Sequence, residues 1–406
     1  MTFRTFISNR KKPIVFSVVF SILLLVLTYF MANISFPLGG EKALLQKIEF
    51  GKKLSHQKNE SFIDSVLFIN VTYDKVINLN PKYDESGKFV GHVPITDREK
   101  LLELLKFLKG KGDYKYILLD VFFSSEDGYT TWDEELFSTI LSMDSIVIPY
   151  LHDNGERIAS IPLLEKAGLV DYNESYFVGG FLKYPYLIDD SMSLSLKMYK
   201  KVKKREIKRY GFLYFDRRRL AKRCDVLAME IVADSAYTKG GDKLWYHLGA
   251  DLLDDSLLYN NPSLTSGKYI VIGAFKGDDE HATFRGTTSG AVINYNAFCS
   301  LMDGRHMVNP FFTILLFLLF FILTYITLRK DYIREVFKES KNKFVRLLGK
   351  LLPLWISYAT VLTLFCVLNY LCFGQTHEIL ITSTIFYLLS KTVSLNKRIH
   401  LWKKRK

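Results

Sequence analysis

Three carboxylates and an imidazole stand within residues 277–281 (GDDEH), and single carboxylates sit at Asp74 and Asp120, each near the end of an apolar run. Such groups can hold a cation, exchange protons or bind a polar ligand. Metal ligands must converge on one point, and neighbours on a single turn seldom all face inward. No HExxH, EF-hand spacing or second histidine cluster accompanies them, so neither a metal nor a cofactor is expected. Catalysis lacks a motif too, because no G-x-S-x-G and no phosphate-binding loop occurs. A hydrolase with Asp120 as base and His281 as partner remains an alternative. Ligands of open α/β sheets bind beyond the carboxyl ends of the strands. Thr72, Asp74, Asp120, Ser124, Ser125 and residues 277–281 would stand there, and Arg98 would open a helix, where an anion is favoured. The candidate ligand set is therefore Asp74, Arg98, Asp120, Asp278, Asp279 and His281. The plainer alternative is that each Asp only caps a helix or forms a turn.

A second chemistry lies in residues 198–223, where MYKKVKKREIKR is followed by FDRRRLAKR. Lys203, Lys204, Arg205, Arg217 and Arg218 could meet an anionic partner such as a phospholipid headgroup, an acidic glycan or a phosphorylated ligand. An exposed helix with solvated lysines explains the same run. Cys224 and Cys299 could form a disulfide in an oxidising compartment. Two buried free thiols fit the sequence as well.

The elements that would position these groups alternate. Apolar runs at 66–71 (VLFINV), 116–123 (YILLDVFF), 145–149 and 268–275 (KYIVIGAF) read as buried strands, with another strand at 176–182. Helices are expected after a cap at Thr96 or Asp97, over 131–143, around 192–208 and over 289–302. The alternation predicts an α/β domain with a mainly parallel sheet in three layers. No linker or repeat divides residues 40–308, so one domain is expected.

Four apolar stretches bracket that domain, at 14–33, 310–328, 351–373 and 379–395. Crossing a bilayer takes about 20 apolar residues. The fourth stretch is interrupted by Lys391, which could snorkel to the interface. The first reads as an uncleaved signal anchor, since its apolar region exceeds that of a signal peptide. Residues 1–13, 329–350 and 391–406 hold 19 of the 55 Lys and Arg but only three of the 42 Asp and Glu. The remaining chain is slightly acidic. Positive flanks stay cytoplasmic, so tail 1–13, loop 329–350 and tail 396–406 are expected inside and the domain outside. Nucleic acid is excluded as a partner, because the charge does not lie on the folded part.

Three stretches carry a resemblance: VLFINVTYDK, HVPITDREKLLELLKFLKGKGDYKYILLDVFFSSE and GKYIVIGAFKGDDEHATFRGTTSGAVINYNAFCSLMDGR. In order and content they resemble the CHASE2 domain, an extracytoplasmic sensor module of bacterial membrane receptors. The resemblance covers roughly 45–308 and is vague between 150 and 260. One span before the domain and about three after it also fit that family. It implies a ligand-sensing role, acidic positions at Asp74, Asp120, Asp278 and Asp279, and a possible homodimer. The family's usual cytoplasmic output domain has no counterpart here, so signalling to a separate effector protein is expected. The resemblance implies a bacterial inner-membrane receptor-like protein. An envelope scaffold using the same domain for docking is the alternative from another class, and an extracytoplasmic hydrolase is the third.

Overall fold

The computed structural model describes residues 11–34, 44, 65–77, 82–83, 89–91, 94–123, 130–153, 156–158, 163–170, 183–227, 238–239, 242–243, 245–277, 279–283, 286–330, 342 and 354–405. The expected strand at 176–182, Ser124, Ser125 and Asp278 lie outside them. Six strands form one parallel sheet: β1 (Val66–Asn70), β2 (Tyr116–Asp120), β3 (Ile146–Asp153), β4 (Ala167–Leu169), β5 (Trp245–His247) and β6 (Tyr269–Gly273). Their spatial order is β5-β1-β6-β2-β3-β4, and Glu156–Ile158 pairs antiparallel with the end of β3.

Register explains the continuous apolar runs. Phe68, Val271, Leu118 and Val147 align across the sheet and share one core cluster. Their neighbours Leu67, Ile270, Ile117 and Ile146 align in turn and belong to a second cluster. Both faces are thus buried, which leaves no polar alternation in the strands.

Helices α2 (Arg98–Lys111) and α3 (Asp133–Ser142) add Leu101, Leu105, Leu136 and Ile140 to the second cluster. Helices α4 (Leu194–Lys203) and α5 (Gly290–Met302) add Leu196, Tyr199, Ile293 and Tyr295 to the first. The Asp97 carboxylate caps α2, accepting from the main-chain nitrogens of Glu99 and Lys100 at 3.1 and 3.2 Å. Gly112, at φ 65°, ends it.

The helix expected over 192–208 is shorter. It stops at Lys203, Lys204 turns left-handed at φ 53°, and the basic run continues as an antiparallel meander of Ile207–Tyr210, Leu213–Asp216 and Arg219–Ala221. Tyr214 and Asp216 face inward on its middle strand, and that packing overrides the helical reading.

Four further helices, α1 (Lys11–Ala32), α6 (Pro310–Lys330), α7 (Leu354–Phe373) and α8 (Ile379–Arg405), are long and apolar enough to cross a membrane, with mean hydropathies of 2.7, 2.6, 1.8 and 1.2. The fourth apolar stretch is one turn-free part of α8, and the Lys391 amine lies 5.5 Å from the Tyr387 ring. Two polar side chains of α7 bond within their own helix. Thr360 and Asn369 bond to the carbonyls of Ile356 and Phe365. The Tyr358 hydroxyl instead bridges α6 and α8, through Thr327 at 2.7 Å and Ser390.

Gly273, at the end of β6, lets α5 lie directly on the sheet. A Cβ there would stand 2.8 Å from Ala291 Cβ and 3.4 Å from Asp120 Cβ. Gly273→Ala is expected to destabilise the full chain by about 1–3 kcal/mol. Thermal unfolding in detergent measures this, and Ala291→Gly in the same chain should restore part of the loss. An unchanged midpoint for Gly273→Ala would show that the contact is not tight.

Candidate functional site

The crevice beyond the sheet collects three of the six candidate residues. Asp120 ends β2, and its carboxylate accepts from the Asn294 side-chain amide on α5 at 2.9 Å. Asp279 lies in the turn before the strand Glu280–Thr283 and meets the first turn of α5, where its carboxylate and main-chain carbonyl accept from the Gly290 nitrogen at 3.2 and 3.0 Å. His281 Nε2 stands 3.5 Å from Asp279. Gly290 is needed here, because a Cβ would fall 2.7 Å from Asp279 Oδ1. Burial first, and the Asp279 charge second, push the Asp120 carboxyl up to about 7, against the Asn294 hydrogen bond and the charge of His281.

Behind Asp120 runs a buried polar chain. The Tyr184 hydroxyl donates to Asn294 Oδ1 at 2.8 Å, and the Ser195 hydroxyl lies 2.8 Å from Tyr184 and 2.7 Å from the Asn294 carbonyl. Asn294 thus holds Asp120 with one end of its amide and is itself held by the other.

The remaining candidates have structural partners. Asp74 binds Lys100 Nζ at 3.0 Å and accepts from the Gly249 nitrogen at 3.1 Å, tying β1 to α2 and to the helical turn Leu248–Asp254. Arg98 is buried beside Asp133 at 3.6 Å, with its guanidinium 4.4 Å from the Phe123 ring. It braces α2 against α3 and does not open toward an anion. Asn70, unforeseen, organises the adjacent rim by accepting from the Thr72 and Phe275 nitrogens at 3.0 and 3.3 Å. Among the described residues no three His, Cys, Asp or Glu side chains stand close enough to hold a metal ion.

The basic patch is divided. Lys203 and Lys204 are exposed at the end of α4, whereas Arg217 and Arg218 form the far turn of the meander, where Arg217 has φ 55°. Arg205 is half-buried, and Glu206 neutralises Lys208 at 3.1 Å and also Lys200. Cys224 and Cys299 are separate buried free thiols, which corrects the possible bridge. Cys224 Sγ faces the Ala32 carbonyl at 3.2 Å, while Cys299 sits on α5 in the first core cluster.

Sequence reasoning missed the junction between the domain and the apolar helices. Lys183 and Glu378 form a buried pair at 3.5 Å, just before α8. Asp216 accepts from the Tyr199 hydroxyl at 2.8 Å and pairs with His306 Nε2 at 3.0 Å, locking the meander to the connector that precedes α6. Burial pushes the Asp216 carboxyl up, but the His306 and Tyr199 hydrogen bonds outweigh it and leave it below the usual carboxylate value. These partners are far apart in sequence, so no local pattern announces them.

The chain matches no family model, no curated protein and no solved structure.

The Asp120 shift has a measurable sign. A raised carboxyl pKa means that the folded chain keeps a proton the unfolded chain releases, from the ordinary range near 3.8 up to about 7. Stability therefore falls as pH rises through that window, by at most about 1.4 kcal/mol per pH unit, and the loss is complete above it. Asp120→Asn retains an acceptor for Asn294 and cannot ionise. Thermal midpoints of the full chain in detergent should lose this pH dependence and exceed those of the wild type above about pH 7. A variant less stable than wild type there contradicts the assignment.

Proposed function

We propose that the chain is an integral membrane sensor with a receptor-like, extracytoplasmic α/β domain in three layers, spanning 40–308. The sensed molecule, a small ligand or a partner protein, meets the crevice at Asp120, Asp279 and His281. The response passes through the four helices to an effector in or under the membrane. The observation that carries this reading is the continuity of α5 with α6. The helix whose Asn294 grips Asp120 runs, through residues 303–309, into an apolar helix long enough to span. A change at the crevice therefore acts on a lever that already enters the bilayer.

The charge distribution supports the orientation, with basic flanks inside and the domain outside. The resemblance to the CHASE2 domain supports the role, a bacterial inner-membrane location and a homodimer. Nucleic acid has no place in this reading.

Single-cysteine labelling in a background without the four native cysteines tests it. An impermeant maleimide should label Arg217→Cys in intact cells but Arg329→Cys only after permeabilisation. The reverse pattern overturns the orientation. In permeabilised membranes, Asp120→Asn should change the labelling rate at Arg329→Cys at least about twofold, a population shift of a few tenths of a kcal/mol. An unchanged rate overturns transmission from the crevice.

A further inference from the structure

We propose that the seam between the meander and helices α1 and α6 is a binding site for one anionic phospholipid. The inference rests on the reading of those helices as membrane spans. A cavity of about 240 Å³ opens there, walled by Leu25 and Val26 of α1, Leu213 and Leu220 of the meander, and Phe312 and Leu316 of α6. Leu25 lies seven residues from the end of α1 and Leu316 six from the start of α6. At 1.5 Å per residue the cavity reaches about 10 Å below the ends of both spans. That depth belongs to acyl chains. The walls are apolar, and an apolar cavity holds no ordered water.

The upper end of the cavity is polar, with Thr28, Lys222, Gln375 and Thr376 on its lining. The meander supplies two interfacial features beside it. Tyr210 and Phe212 flank Gly211 at its near turn and are 62% and 65% exposed. Exposed aromatic rings at that level are suited to the headgroup region, where one edge is apolar and the other wet. The near turn is fixed at the membrane level, because the Tyr29 hydroxyl of α1 accepts from the Tyr214 nitrogen at 3.0 Å and donates to the Ala221 carbonyl at 2.9 Å.

Charge selects the lipid class. Residues 206–225 hold seven Lys and Arg against three acids: Glu206, which pairs with Lys208, Asp216, which is engaged by His306, and Asp225, which binds Lys222. The guanidinium of exposed Arg209 donates to the Gly211 carbonyl at 2.9 Å and so stands at the near turn, beside Phe212 of the cavity wall. Arg217 and Arg218 lie three to four residues further along the strand, about 13 Å away, beyond a single headgroup. Lys222 on the lining is held by the Asp225 carboxylate, so Arg209 is the residue assigned to the phosphate, and Leu213 and Leu220 to the acyl chain.

Native mass spectrometry of the full chain tests this, after delipidation and addition of equal phosphatidylglycerol and phosphatidylcholine of identical chain length. Wild type should retain one phosphatidylglycerol per chain in preference to phosphatidylcholine. Leu213→Trp and Leu220→Trp, which fill the groove from two walls, should each weaken retention about tenfold or more. Two fillers guard against one failing to fold, and a thermal midpoint reports folding for each. Arg209→Gln should still retain a lipid while losing most of the preference. Equal retention of both lipids by wild type, or wild-type retention by both folded fillers, overturns the site. A second protein chain retained in place of lipid also overturns it. Release of the wild type from membranes by an alkaline wash would overturn the span reading itself. A wild type that resists the wash yet keeps no lipid removes only the lipid site.

Discussion

Helix α5 is buried along its whole length from Gly290 to Leu301, and the rest of the molecule is arranged around that constraint. A helix with no wet face must find a partner inside the protein for each polar side chain, since an orphaned buried group costs about 1–3 kcal/mol. Asn294 does so with Tyr184 on one side and Asp120 on the other. Asn296 bonds back to the Val292 carbonyl at 2.8 Å. The first turn places the Gly290 nitrogen against Asp279. These bonds fix the helix in rotation as well as in position. Gly273 fixes its height, by allowing Ala291 to touch the sheet. What leaves the domain at Met302 is therefore a helix already set by the crevice.

The same economy of buried polar groups governs the junction with the apolar helices. Arg223 donates through its main-chain nitrogen and Nε to Asn33, both at 2.7 Å, and Gln375 donates to the Met307 carbonyl at 2.6 Å. Lys183 and Glu378 are 5% and 4% exposed. A buried ion pair adds little net stability, because desolvation opposes its attraction, but removing one partner costs about 3–5 kcal/mol. The pair thus acts chiefly on geometry, disfavouring any placement of the domain that separates Lys183 from the segment before α8. The domain meets its helices over a wide, bonded surface, so movement of one is shared by the other.

How much of this was legible followed from where each element is buried. Strands β1, β2 and β6 announce themselves because both sheet faces are covered, which removes every polar residue from their centres. Helix α2 is marked by Asp97, a local cap. The meander is hidden because lysines and arginines carry no periodicity of their own, and each of its strands turns only one or two residues inward: Ile207, then Tyr214 and Asp216, then Ala221. Strand β5 is three residues long and has no pattern to show. Asp120 was found from its strand-end position, but its partner Asn294 lies 174 residues away and Glu378 lies 195 from Lys183. The helix position of Arg98 invites an anion. The deciding fact was Asp133, which fills that role from the next helix.

The electrostatics of the crevice constrain what can enter it. Asp120 is costly to ionise because it is buried and because Asp279 already carries charge nearby. A proton relieves both costs, and so does a cationic or hydrogen-bond-donating group placed between the two carboxylates. Such a group competes with the proton, so its binding strengthens as pH rises toward and past about 7. An anionic group meets the opposite field, with only His281 in its favour, and gains from the protonated state. An apolar ligand would exclude water from the carboxylates, make their ionisation costlier still and so favour the protonated state. On the proposed reading, a ligand acts by changing the proton or charge balance around Asp120, which alters the pull on Asn294 and through it the set of α5. On that reading the crevice answers to charge before it answers to shape.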